Sequence, residues 1–311
     1  MKEEAKLASS TTLTQQKKPE RSLSPWQIAR KKFFKNKLAM VSSVYILVVT
    51  ILALLAPFLA PYLSPSPDIV KVNIGSMNIP PNSEHILGTD KSGRDVLTRL
   101  FYGGRISLLV GFSATLMVIT LGTLVGSIAG FFGGIVDNIL MRFTDLVLNF
   151  PFLVFVMVLN TILYGIVDGL WVLIIVIGVL SWGGVARLVR SKILAEKENE
   201  YILAALSIGC SPVKVIWKHL LPNVMSTIIV QATLIFASMI VAESALSYLG
   251  FGVPQSTPSW GIMLASANEP DVLQGKPWIW MPPAIALTLT ILSINFIGEG
   301  LKDALNPKSL R

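Results

Sequence analysis

Side chains that could do covalent or metal chemistry are scarce in this chain and do not cluster. Cys210 is the only cysteine, so no disulfide can form within the chain, and the two histidines, His85 and His219, lie far apart. A metal cluster or a Cys-His nucleophile therefore has no basis. The stretch GTDKSGRD sets Gly88 and Gly93 at the separation of a phosphate-binding loop, but Arg94 and Asp95 occupy the positions that require Lys and Ser or Thr. Among acids, Glu243 stands out because it interrupts the apolar run LIFASMIVAESALSYLGFG. Arg142 and Asp145, spaced i, i+3, allow a local ion pair, and Glu299 follows a long apolar stretch near the C-terminus. None of these makes a catalytic constellation, so no enzymatic activity and no cofactor is expected in this chain. Energy for any work must enter through another chain or an ion gradient.

The elements that would position these residues follow from composition. Hydrophobic residues make up 52% of the 311 and charged residues 14%, against about one-quarter charged in an ordinary soluble domain. Six runs, 38–67, 106–136, 146–167, 169–186, 220–242 and 277–298, contain no Asp, Glu, Lys or Arg. About 20 apolar residues suffice to cross a bilayer as a helix. The expected fold is thus all-α, a polytopic membrane domain with six transmembrane helices over 38–311, behind a polar, basic tail at 1–37. The first span is expected at about 40–62, outer loops at 63–105 and about 250–281, and a long inner loop at about 190–222.

Lys and Arg concentrate before the first run, in 187–218 and at the C-terminus, which puts these three regions and both termini on the cytoplasmic side. The net charge of +8 then reads as membrane topology and not as nucleic-acid binding. In this frame a charge at membrane depth is costly and often functional, so Glu243 is a candidate for a translocation path, with a satisfied structural carboxylate as the alternative. Gly122, Gly126 and Gly130 recur every fourth residue, a stripe for close helix packing, either within the subunit or between subunits. Trp260, Trp278 and Trp280 fit an outer interfacial belt.

The polar segment 198–223, ENEYILAALSIGCSPVKVIWKHLLPN, interrupts the apolar second half. Ile202, Ala205, Leu206 and Gly209 fall at i, i+3, i+4 and i+7, one narrow face of a short helix whose small residues permit close approach. Gly209 and Cys210 end that helix, Ser211 and Pro212 open another, and Val213, Ile216, Trp217 and Leu220 repeat the spacing before Pro222 starts the fifth span. Two short amphipathic helices of this kind suit a groove in another protein, or the lipid headgroups.

YILAALSIGCSPVKVIWKHLLPN resembles the EAA loop of bacterial ABC importer permeases, the loop that meets the ATPase. The matching residues are Ala204, Ala205, Gly209, Leu221 and Pro222; Leu203 stands where the family has Glu, and His219 where it has Ile. The stretches KNKLAMVSSVYILVV, ILGTDKSGRDVLTRLFYGGRISLLVG, GGIVDNILMRFTDLVLNFPFLV, ALSYLGFGVPQSTPSWGIML and PPAIALTLTILSINFIGEGLKDALNP are similar to the C-type subunit of oligopeptide and dipeptide permeases. The resemblance implies a type I ABC importer permease fold in a bacterial cell membrane. Its partners would be a homologous B-type permease subunit, two cytoplasmic ATPases that bind the ATP, and an extracytoplasmic peptide-binding protein, with a peptide as substrate. Leu203, Ala204, Ala205, Gly209, Ser211, Pro212, Leu221 and Pro222 are then the expected ATPase-coupling residues. Nickel permeases of the same superfamily look alike, and a secondary transporter is the more distant alternative.

Overall fold

The computed structural model describes residues 25–64, 68–163, 166 and 169–305. Among these, every named element is a helix, and the one β pairing is an isolated bridge between Thr89 and Asp95. An amphipathic α1 (Pro25–Lys35) precedes α2 (Lys37–Leu63), whose start is fixed by Asn36: its side-chain oxygen accepts from the Ala39 N–H at 3.1 Å. α2 turns Leu38, Val41, Leu54 and Phe58 outward, as a helix in lipid can and a helix in water cannot afford to do.

The central element is α3 (Val96–Phe132), 37 residues and hence about 55 Å long. It starts ten residues before the charge-free run and shortens the first expected outer loop, because Asp95 caps it: Asp95 Oδ1 accepts from Thr98 N–H at 2.8 Å. Arg99 and Arg105 therefore lie on a helix and not in a loop. α3 packs against α2, against α10 (Leu221–Tyr248) and, most extensively, against α7 (Gly183–Lys197).

Two of the expected spans are bent. α4 (Gly134–Asn149) and α5 (Phe152–Leu163) meet at 83°, since Pro151 forces Phe150 into extended backbone at φ −68°, ψ 133°. α6 (Gly169–Ser181) and α7 meet at 41° around Trp182. Four helices are long and apolar enough to cross a membrane among the described residues, and six spans result when each bent pair counts as one. Between the last two spans lie the short α11 (Trp260–Ala265) and α12 (Pro270–Gly275), and α13 (Pro277–Leu305) then packs along α2 and α10.

Candidate functional site

The 198–223 segment joins α7 to α10. α8 (Glu200–Ser207) is closed by a two-bond cap in which Cys210 N–H reaches the Ala205 carbonyl at 3.1 Å and Gly209 N–H reaches that of Leu206 at 3.0 Å. This cap requires the left-handed φ of +83° at Gly209. Ser211 then sits at the N-cap of α9 (Pro212–Val215), with Pro212 as its first residue. No separate second helix follows. A π turn at Ile216–Leu220, in which Leu221 N–H bonds the Ile216 carbonyl five residues back, carries α9 directly into α10. Pro222, which has no N–H to give, sits just beyond that wide turn. Residues 212–248 are consequently one continuous rod.

Burial in this segment corrects the expected docking face. Ile202 and Ala205 are buried in the subunit's own core, in the same cluster as Val215, Ile216 and Leu220 and as Ile177 of α6 and Ile193 of α7. Leu221 is buried there too, Leu206 packs against the edge of that core, and Gly209 is exposed with nothing within 4 Å of where a Cβ would be. The helical stripe is therefore used internally. Leu203, Ala204, Ile208, Ser211, Pro212, Val213, Trp217 and Pro222 are among the residues left outside. Among them Ile208 is 82% exposed, Trp217 65%, Val213 63% and Leu203 52%. Lys214 and Lys218 flank this apolar surface.

Ile208 lies off the i, i+3, i+4 stripe, and the expected face of Val213, Ile216, Trp217 and Leu220 is split: Ile216 and Leu220 are buried with Val215, while Val213 and Trp217 stay outside. The readable sign was an eight-residue helix with apolar residues on both faces, which needs two partners. Polar contacts brace the segment from behind. Tyr201 donates its hydroxyl to Glu196 Oε2 at 3.0 Å and accepts from Asn223 Nδ2 at 2.5 Å, tying α8 to the end of α7 and the start of α10. Burial, and then the Glu196 carboxylate, push the Tyr201 hydroxyl up from its ordinary pKa, so it remains a donor. At the end of α7, Lys197 Nζ bonds the Phe131 carbonyl at 2.5 Å, holding α7 to the end of α3.

The glycine stripe underlies this attachment. Gly122, Gly126 and Gly130 lie against α7: a Cβ on Gly122 would be 2.6 Å from Val185 Cβ, one on Gly130 2.9 Å from the Arg190 carbonyl oxygen, and one on Gly126 would collide with the Ala186 carbonyl. The stripe packs inside the subunit. Asp145 does not pair with Arg142; its Oδ1 meets Arg187 Nη2 at 2.5 Å, and Asp137 takes Arg190 in a bidentate pair, so two α4 carboxylates grip α7.

Glu243, near the far end of α10, is fully buried and enclosed by hydroxyls. Its Oε2 accepts from Ser107 at 2.8 Å and Ser244 at 3.3 Å, and its Oε1 accepts from Ser247 at 2.8 Å. It joins α10 to α3 within the subunit and faces no open surface. Trp260 is also internal, with its Nε1 donating to the Leu100 carbonyl at 3.0 Å and its ring over Gly104, so it pins α11 to α3 instead of joining an interfacial belt. His85 is buried too, with Nδ1 2.9 Å from Asp95 Oδ2, which places GTDKSGRD in the structural cap of α3.

These features find counterparts in known proteins. Residues 122–311 match a family described as "binding-protein-dependent transport system inner membrane component", and residues 24–81 match the "N-terminal TM domain of oligopeptide transport permease C". The dipeptide transport system permease protein DppC of Bacillus subtilis is 41% identical over 290 residues, which cover 93% of this chain and 88% of the relative. The oligopeptide transport system permease protein OppC of Haemophilus influenzae is 39% identical, covering 92% and 89%. OppC of Bacillus subtilis is 38% identical, covering 93% and 91%. With its helical spans, and with similarity running through the 198–223 segment and the rod it begins, the chain belongs to the inner-membrane components of binding-protein-dependent transport systems, the multi-pass permease subunits of ABC transporters.

Proposed function

We propose that this chain is one membrane half of an ATP-driven peptide importer and that its 198–223 segment seats a cytoplasmic ATPase. A homologous B-type subunit completes the pathway, an extracytoplasmic binding protein delivers the peptide, and both termini of this chain face the cytoplasm. The observation that carries the reading is the exposure of four large apolar side chains within one short segment, Leu203, Ile208, Val213 and Trp217, at the head of a rod that continues to Tyr248. An apolar patch rimmed by Lys214 and Lys218 suits a protein groove.

Movement of a seated ATPase is transmitted without a hinge, because α9, the π turn and α10 are continuous. It reaches α3 through the Glu243–Ser107 contact and α7 through the Tyr201–Glu196 contact. A bundle braced in this way tilts as a body, as alternating access requires. The fuel chemistry belongs to the ATPases, and this chain contributes a seat and a lever.

Peptide is the favoured cargo over nickel because the relatives above are named for dipeptide and oligopeptide transport. Uptake of labelled trialanine and of Ni²⁺, measured in cells whose own importers are deleted and which express this chain with its neighbouring transporter genes, tests the reading. ATP-dependent trialanine uptake that disappears without this chain is the expected result. Nickel uptake alone, or uptake driven by an ion gradient without ATP, overturns it.

A further inference from the structure

At the end of the rod opposite the 198–223 segment, α3, α10, α11 and the loops beside them line a partly open cavity of about 320 Å³. That is the lower end of the range of about 300–1,000 Å³ typical of small-ligand sites. Its charged wall comes from the GTDKSGRD turn and the first turn of α3, with Asp90, Arg94 and Arg99 among the lining residues, and its polar wall includes Ser247, Gln255 and Asn268.

The charges on this wall do not balance. Asp90 is already occupied: its Oδ1 accepts from the N–H groups of Ser92 and Arg94 at 2.8 and 3.0 Å, and its Oδ2 lies 3.6 Å from Arg99 Nε. Arg99 is committed to that carboxylate and donates through Nη1 to the Ile69 carbonyl at 2.8 Å. Lys91, at the rim, is paired with Glu269. Asp68 spends one carboxylate oxygen on the N–H groups of Val70 and Lys71. Arg94, which also lines the cavity, differs in degree: the Asp68 carboxylate attracts it, but its Nε is buried with no hydrogen-bond partner. A buried donor on a guanidinium is costly to leave unpaired, and the partner that suits its planar fork is a carboxylate or phosphate oxygen pair.

We propose that this cavity is a carboxylate site in which Arg94 receives the C-terminal carboxylate of a short peptide. The proposal rests on the peptide-import reading above. A transporter that accepts many side chains needs a handle common to all its substrates, and a free terminal carboxylate is one. A fixed guanidinium reads that group without reading the sequence. The Ser247 wall adds a route to the rod, since the Ser247 hydroxyl donates to Glu243 on the same helix. An occupied site therefore lies against the element whose other end carries the exposed patch.

The test is calorimetric titration of trialanine and trialanine amide into the importer complex, purified through this chain in lipid nanodiscs without the binding protein or nucleotide. Wild type should bind the acid at least about tenfold more tightly than the amide, the scale of one charge-assisted hydrogen bond. Arg94→Gln should bind both alike, and Arg94→Lys should keep part of the preference. The Arg94 Nε gives up no bond within the protein on substitution, so unchanged thermal unfolding of Arg94→Gln is expected. Equal binding of acid and amide by wild type, no binding of either, or a preference that survives in Arg94→Gln overturns the proposal. ATP-driven trialanine uptake by the same complex reconstituted into sealed proteoliposomes, with the binding protein added, separates the two readings. Uptake without acid-over-amide binding removes only this site, whereas absence of uptake removes the import reading.

Discussion

Replacing Ile208 and Trp217 together with alanine removes most of the proposed ATPase seat without touching the core. Trp217 is 65% exposed, and a Trp side chain buries about 150–250 Å², so a partner can cover roughly 100–160 Å² of it, worth about 3–4 kcal/mol at ~25 cal/mol per Å². Ile208, 82% exposed, adds about 2 kcal/mol by the same reasoning. The rotamer freedom that these two side chains lose on docking, about 0.5–1.5 kcal/mol each, and incomplete coverage take part of this sum, so about 3 kcal/mol is a fair net loss, a weakening of roughly a hundredfold. The assay is recovery of the ATPase on a tagged permease, with peptide uptake measured in parallel. Both should fall to near background while the amount of permease in the membrane and its thermal unfolding stay at wild-type values. Wild-type recovery and uptake from the double variant refutes the reasoning. Ala205→Asp makes the informative contrast. Sequence periodicity places Ala205 on a docking face, but it is 7% exposed, so a carboxylate there should lower folded permease in the membrane before it affects docking.

Three further outcomes follow from the packing. Gly126→Ala should cost about 1–3 kcal/mol in thermal unfolding, because the new methyl meets the Ala186 carbonyl, a backbone atom that cannot rotate away. Gly209→Ala should cost about 1–2 kcal/mol through its φ of +83° alone, whereas Gly184→Ala, in open space without positive φ, should be neutral in the same measurement. Glu243→Leu leaves the hydroxyls of Ser107, Ser244 and Ser247 without their shared acceptor and should cost a few kcal/mol; Glu243→Gln, which keeps an acceptor oxygen, should cost much less by denaturation in detergent.

Much of the architecture was legible because lipid imposes a simple rule on sequence: long runs without charge become helices. Ser211 and Pro212 also marked a helix start in the ordinary way. Bends were harder to read. The 83° turn at Pro151 lies inside a single charge-free run, and a hydropathy pattern does not distinguish a straight span from a folded one. The start of α3 was misplaced because a cap is a polar contact, made by Asp95 inside a charged stretch that reads as loop.

In the 198–223 segment the apolar spacing was legible, but not which face the subunit itself covers: Ala205 and Leu221 of the expected coupling residues are buried, while Leu203, Ala204, Ser211, Pro212 and Pro222 are exposed. Periodicity shows that Ile202 and Ala205 share a stripe but not what covers it, and the subunit's own core supplies the cover. For Glu243, sequence showed a carboxylate in an apolar run, but the Ser107 hydroxyl that helps hold it comes from 136 residues away. Arg94 shows the same limit from the other side: its neighbours are charged in sequence, yet in space the Asp90 carboxylate meets the Arg94 backbone N–H and the Arg99 guanidinium, and Lys91 pairs with Glu269.

The most direct test of the account is site-specific cross-linking at the exposed patch. Ile208→Cys and Trp217→Cys, each in a Cys210→Ser background, would be treated in the assembled importer with a short thiol-to-amine cross-linker, with and without ATP. Attachment to the ATPase at both positions, and none from Ala205→Cys, which is buried, is the predicted pattern. Labelling of residues 208 and 217 by an impermeant thiol reagent from outside the cell, or no product with the ATPase in either nucleotide state, would contradict it.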